Sequence, residues 1–259
     1  MPIDNELYNH LSETWWDENA AFSTLRTWLG PVRFGYFRRI LLEKCHRDVQ
    51  GIKVLDVGCG GGLLAEQFAE LGCQVTGIDP SEPSLSTARK HAELGGLKIA
   101  YQVGVGEHIP FADASFDIVI CCDVLEHVSD VAQVIQEISR VLVADGIFFY
   151  DTINRTFLSW LAVIKLAQEW KMTSLLPPNL HDWEHFIKPQ ELVRCMERCH
   201  LQNRDVKGMS PRANPFVILN LFLRHKYGKT ALTEMGKCMG FRENRDLSGS
   251  YMGYAIKID

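Results

Sequence analysis

The chain has 259 residues, of which 46% are hydrophobic and 23% charged, with a formal net charge of −5. That length suits one large α/β domain, with insertions and a full core, and the composition is ordinary for a soluble globular protein. The acidic balance argues against nucleic acid as a partner, because phosphate binding needs a basic surface.

Residues 1–10 hold neither a basic cluster nor an apolar segment, so no signal peptide is expected and the expected location is the cytoplasm. Residues 7–22 place apolar side chains at helical intervals and include the adjacent Trp15 and Trp16, which suit either the core or a substrate mouth. A second helix is expected over 25–45, entered through 30–36 and carrying Arg33. These two helices form an N-terminal cover over 1–48.

Val54, Leu55 and Val57 then make a short apolar run that stops at Gly58, Gly60, Gly61 and Gly62, and Leu63, Leu64, Phe68 and Leu71 start a helical pattern at once. That is strand, tight turn, helix. Glycines there permit positive φ and close ligand approach, and the helix aims unpaired N–H groups at the loop. A dinucleotide fingerprint would need a third glycine at position 63, which is Leu63. The pattern is instead Asp56-x-Gly58-x-Gly60-x-Gly62, which is similar to motif I of the class I S-adenosylmethionine (SAM)-dependent methyltransferases. A second strand over 73–78 ends at Asp79, beside Pro80, where a carboxylate can accept from both ribose hydroxyls.

A helix over 80–94 and a strand over 99–103 lead to Gly106 and Glu107, placed to meet the adenine. Residues 116–121 are a nearly continuous apolar run, the mark of a strand buried on both faces. In a parallel sheet the residues just beyond the carboxyl end of such a strand face the ligand. Here they are Cys122, Asp123, Glu126 and His127. Two carboxylates and an imidazole so close together can hold a divalent cation, or His127 alone can serve as general base, or the acids can merely cap the helix expected over 130–142. A fifth strand over 147–151 comes next, then an apolar stretch over 157–176 flanked by Trp160 and Trp170. Its charges, Lys165, Glu169 and Lys171, exclude a membrane span, which leaves a lid, an interfacial helix or a core helix. His181 and His185 stand in the loop before a helix over 190–199; they are in reach of the pocket, though exposed histidines beside prolines usually do nothing catalytic. A strand over 201–209, an apolar helix over 216–223 and a last strand over 251–258 complete seven strands.

Eight cysteines (45, 59, 73, 121, 122, 195, 199 and 238) are scattered without a C-x-x-C pair and read mostly as small buried hydrophobes. Cys195, Cys199 and His200 have ligand-like spacing, but with no second pair a zinc site is not expected.

With these residues in view the chain resembles the quinone-biosynthesis O-methyltransferases, which methylate polyprenyl catechols and phenols. The resemblance is carried by 31–36, 54–62, 75–79, 125–128, 152–155 and the His181-Asp182-Trp183 and Phe186-Ile187-Lys188-Pro189 pieces. It implies a Rossmann-like α/β fold, a seven-stranded mostly parallel sheet with helices on both faces and a helical insert after the fifth strand, at 155–188. It implies SAM as methyl donor, contacted by Arg33, Gly58, Asp79 and Cys122. By residue type alone, Arg33 suits either the carboxylate of the SAM methionine part or a solvated place on its helix. It also implies magnesium on Asp123, Glu126 and His127, with Glu126 and His127 catalytic. A hydrophobic phenol or catechol substrate, peripheral contact with the inner face of a membrane through 157–176, and a quinone-biosynthesis complex are implied by the same resemblance. The segment 210–248 is longer than the family's usual end and favours one rival, a methyltransferase of specialised metabolism acting on O, N or C; a second rival, a SAM-binding protein without catalysis, is opposed by the presence of Asp123, Glu126 and His127.

Overall fold

A computed structural model describes residues 5–44 and 48–258. Its frame is one eight-stranded sheet in the order β3-β2-β1-β4-β5-β8-β6-β7. The strands are β1 (Lys53–Val57), β2 (Gln74–Asp79), β3 (Ile99–Val103), β4 (Phe116–Cys122), β5 (Leu142–Ile153), β6 (Leu201–Pro211), β7 (Phe241–Asn244) and β8 (Ser250–Lys257). The first five pair in parallel, and β8, β6 and β7 add on antiparallel. The strand order reverses between β1 and β4, so the carboxyl ends of those two strands open a crevice.

Local sequence explains most of these elements. Every residue of β4 except Asp117 is buried, as is β5 from Gly146 to Ile153, which suits strands covered on both faces. Helix α5 (Val131–Val141) starts where Asp130 Oδ1 accepts from the Gln133 amide at 3.0 Å, and it buries Val134, Ile135, Ile138 and Val141 along one face. Each such side chain contributes roughly 1.5–3 kcal/mol of burial. Helix α4 (Glu82–Leu94) is capped by Ser81 in the same way, and α3 (Leu63–Glu70) begins at Gly62, which has φ +83°. One core cluster packs α3 and the helix containing Gly30–Arg39 against the sheet; the other packs α5 and α7 (Pro189–Arg198) on the opposite face.

Several expectations need correction. The leading helix, α1 (Asn5–Leu11), stops well short of residue 22: a helical turn over Ser12–Thr14 follows, and the chain then bends so that Trp15 and Trp16 drop onto the glycine loop. The second helix, α2, runs through Leu25–Leu29, Gly30–Arg39 and Ile40–Lys44, its two ends wound more widely than an α-helix; the expected end at Cys45 lies outside the described residues. Strand β5 starts at Leu142, directly after α5, rather than at 147. An eighth strand, β7, comes from the 210–248 extension, which also holds α8 (Pro215–Lys226) and α9 (Leu232–Met239). Cys59, Cys73, Cys121 and Cys122 are buried as expected, whereas Cys195 and Cys199 are half-buried and Cys238 is exposed. The insert after β5 forms α6, Phe157–Ser159 continuing as a wide helix over Trp160–Glu169, whose inner side meets Ile153 and Phe186. Among the described residues no helix is long and apolar enough to cross a membrane.

Candidate active site

A cleft of ≈ 460 Å³ opens at the reversal of strand order. It is lined by Asp56, Val57 and Gly58 at the end of β1, Asp79 and Pro80 at the end of β2, Gly106 and Glu107 after β3, and Cys122 and Asp123 at the end of β4. The expected cofactor residues Arg33, Asp56, Gly58, Asp79, Pro80, Gly106, Glu107 and Cys122 therefore all line one cleft. Gly60 and Gly62 do not line it; they shape the turn. Asp79 organises that turn, accepting from the Gly60 amide at 2.9 Å and the Ser81 amide at 2.8 Å. Burial raises the Asp79 carboxyl above its ordinary value, and the two amide hydrogen bonds oppose that rise.

The cradle fits an extended polar cofactor such as SAM. Gly58 has φ +71°, and a Cβ there would lie 2.3 Å from Val124; only glycine leaves backbone open at that point. At Gly60 a Cβ would lie 2.5 Å from the Trp15 indole ring. Trp15 is thus both core and cleft wall: it stacks on Phe22 at 4.1 Å, and its Nε1–H donates to Ser84 at 3.0 Å. Trp16 lies outside the lining, its Nε1–H donating to the Gly61 carbonyl at 2.9 Å.

Arg33 is buried, not solvated, and it pairs with both Asp123 and Asp151. Burial disfavours its charge, but those two acids hold the guanidinium protonated. Asp123 is thereby turned toward Arg33, held at φ +53° with its amide donating to Asp151 Oδ1 at 2.8 Å.

The second half of the site lies under the insert. Glu126 is buried at the end of the turn after β4, where Thr152 Oγ1 donates to its Oε2 at 2.8 Å, and its Oε1 has no partner among the described residues. Burial, aided by Asp123, pushes this carboxyl up to about 8. The expected trio is Asp123, Glu126 and His127, but the donor atoms that converge among the described residues are those of Glu126, His127 and His181, all within 4.8 Å of one another. His181 Nδ1 is buried without a partner among the described residues, and its ring lies 4.9 Å from that of His127. Burial lowers His127 to about 4 and His181 to about 3, so both imidazoles are neutral at pH 7 and keep a free lone pair. His185 stays away from the cleft, 3.6 Å from Asp182, and Cys195, Cys199 and His200 form no such convergence.

One contribution lies beyond sequence reading. Tyr8, on α1, brings its hydroxyl to 3.5 Å from His127 Nε2, a contact across 119 residues that no motif announces. His181 is signalled by its place in the loop before α7 and by the His181-Asp182-Trp183 piece, though its convergence with Glu126 and His127 is not. Around this polar end the walls are greasy: Phe22, Leu25, Leu176 and Leu180.

A family model described as a methyltransferase domain matches residues 55–150. Ubiquinone biosynthesis O-methyltransferase of Actinobacillus pleuropneumoniae serotype 7 is 38% identical over 206 residues, covering 78% of this chain and 85% of that protein. The protein of the same name from Pelagibacter ubique is 34% identical over 210 residues, covering 79% and 86%. Among solved structures, a SAM-dependent methyltransferase from Aquifex aeolicus superposes with a TM-score of 0.59 at 15% identity, covering 99% of this chain and 100% of that one. The [4+2]-cyclase SpnF also scores 0.59, at 20% identity, over 86% and 81% of the two chains. Those structural likenesses establish the fold alone, since one fold carries several chemistries. The sequence relatives establish more: the chain belongs to the ubiquinone biosynthesis O-methyltransferase family and is a SAM-dependent methyltransferase.

Proposed function

We propose that this methyltransferase acts on the hydroxyl of a phenol or catechol bearing an apolar, polyprenyl-type tail. The observation that carries the reading is the junction of two half-sites in one cleft. The Gly58 to Asp79 cradle shares the cleft with His127 and His181, Glu126 lies with a carboxylate oxygen within 4.8 Å of their ring nitrogens, and apolar side chains complete the lining. The relatives' shared name, with its quinone precursors, supports the same class of acceptor.

Bound in the cradle, SAM supplies an electrophilic methyl carbon. Asp79 would hold the ribose, while the Gly58 backbone and Cys122 flank the space between the two half-sites. His127, neutral above pH of about 4, accepts the acceptor hydroxyl's proton at Nε2. The Tyr8 phenol, 3.5 Å from that atom, marks a point where an aryl hydroxyl fits. Walls built from Phe22, Leu176 and Leu180 exclude water and hold the acceptor oxygen in line, and that positioning supplies much of the acceleration.

As the alternative to that proton transfer, with His127 a ligand rather than the base, a divalent cation suits the site, on Glu126 Oε1 and His181 Nδ1, both buried and without a partner among the described residues, together with His127. One carboxylate and two imidazoles favour a borderline metal such as Mn²⁺ or Zn²⁺ over Mg²⁺, which prefers oxygen. When bound there, such a cation would lower the acceptor hydroxyl's pKa. The exposed Phe157, Leu158, Leu161 and Trp170 on the insert support peripheral contact with a membrane.

The test is labelled methyl transfer to an acceptor panel: a short-tailed prenyl catechol, the tail-less catechol, and an arylamine of equal size. Transfer to the catechols, with lower KM for the tailed one, supports the proposal. Preference for the amine would move the chain to the rival N-methyltransferase reading.

A further inference from the structure

Helix α8 has two apolar faces, and packing within the chain accounts for only one. Ile218, Leu221 and Phe222 turn inward onto α9, Trp28 of α2 and Leu175 of the insert. On the opposite side Phe216, Leu219, Leu223 and Tyr227 recur at helical spacing. Phe216 is 86% exposed, Leu219 40% and Tyr227 68%. Contiguous apolar surface of this kind marks a contact site.

Charge singles out the same segment. In a chain of net charge −5, residues 206–233 contain five basic residues (Lys207, Arg212, Arg224, Lys226 and Lys229) and no Asp or Glu. At roughly 100° per residue, Arg224 and Lys226 lie about 80° to either side of the outer stripe. Both are exposed, as are Arg212 and Lys229, and none of the four makes an ion pair among the described residues. An apolar stripe with a cation on either side is how a helix lies in a lipid interface, its cationic heads reaching the phosphates. A second copy is the poorer occupant, since a two-fold contact of this face with itself would set its cations against each other.

The face also adjoins the cleft. Leu175 packs against the α8–α9 cluster and its neighbour Leu176 lines the cleft, while Trp28 Nε1–H donates to the Leu232 carbonyl at 2.9 Å one turn after Leu25 of the cleft wall.

We propose that the outer face of α8 docks on an anionic phospholipid bilayer, with Phe216, Leu219 and Tyr227 among the headgroups and Arg224 and Lys226 on the phosphates. This gives an acceptor dissolved in lipid a short path to the cleft; only that consequence rests on the function proposed above, and the docking itself does not.

The experiment is co-sedimentation of the full chain with vesicles of phosphatidylcholine, with or without phosphatidylglycerol, at low and high salt. The expected result is binding that needs phosphatidylglycerol and is reversed by salt. Phe216→Ser with Tyr227→Ser, and separately Arg224→Glu with Lys226→Glu, should each cut partitioning by about tenfold or more. Their urea midpoints and their transfer to a short-tailed acceptor in solution should be unchanged. Salt-insensitive binding of the wild type, equal binding by both α8 variants, or loss confined to Phe157→Ser with Leu161→Ser on the insert would overturn the proposal. So would a dimer that the Phe216 variant dissolves without any vesicle binding. Vesicle binding as expected alongside no transfer to any phenolic acceptor would leave the docking standing and reject the acceptor.

Discussion

Arg33 and Asp123, ninety residues apart in sequence, meet in an ion pair that closes one side of the cleft. The same guanidinium pairs with Asp151, and their side chains are 5% and 1% exposed. Breaking a buried pair leaves an uncompensated acid, so Arg33→Met should lower unfolding free energy by about 3–5 kcal/mol. Urea denaturation of the purified variant checks this. A change under about 1 kcal/mol would mean that the acids take up protons or water at little expense.

The tryptophan cover makes a second prediction. Gly60→Ala adds a Cβ 2.5 Å from the Trp15 ring at φ +50°. The substitution should destabilise the loop through both the clash and the left-handed backbone, the latter costing about 1–2 kcal/mol. Combining it with Trp15→Ala removes only the clash. A double-mutant cycle read by SAM calorimetry should therefore show favourable coupling, with a residual loss in the double variant.

Asp56 links stability to pH. Burial pushes its carboxyl up to about 7, with Arg33 opposing, from an ordinary value of 3.8. The folded chain thus binds an extra proton between those values. The stabilisation is complete below about pH 4 and is lost as pH rises through about 7, with an upper bound of about 4 kcal/mol. Urea midpoints from pH 5 to 8 should fall more steeply for the wild type than for Asp56→Asn. Parallel profiles would contradict the assignment.

The donor set makes a metal-binding prediction that does not depend on turnover. Mn²⁺ affinity, followed by electron paramagnetic resonance, should drop about 10–100-fold in Glu126→Gln and in His181→Ala. Asp123→Asn should change it much less, because that carboxylate is committed to Arg33. The reverse order would restore the trio expected from spacing.

The part of the site legible in the sequence is the part made by neighbours in the chain. Asp56, Gly58 and Asp79 lie at strand ends whose apolar runs are visible, and backbone geometry requires glycine where the turn crosses to positive φ. The order of β1 to β5 comes from the same alternation of strand and helix. The contacts that sequence spacing misses are built across distance. Trp15 reaches the glycine loop from α1's far end, and His181 arrives from the insert, where nothing nearby marks it as buried. Asp123 looks like a metal ligand beside Glu126, yet Arg33 from another helix claims it. The short strand β7 pairs four residues with β6 and has no strong apolar run to announce it.

The central claim, that His127 takes a proton from an aryl hydroxyl while the cradle holds SAM, is met most directly by one comparison. Single-turnover methyl transfer to a short-tailed prenyl catechol is measured for the wild type and His127→Ala, with SAM affinity determined on the same samples. The account predicts an aryl methyl ether as product, a rate lower by about 10²–10⁴-fold in the variant, and SAM affinity unchanged within about threefold. Wild-type rates in His127→Ala, or a methyl group found on carbon or nitrogen of the acceptor, would contradict it.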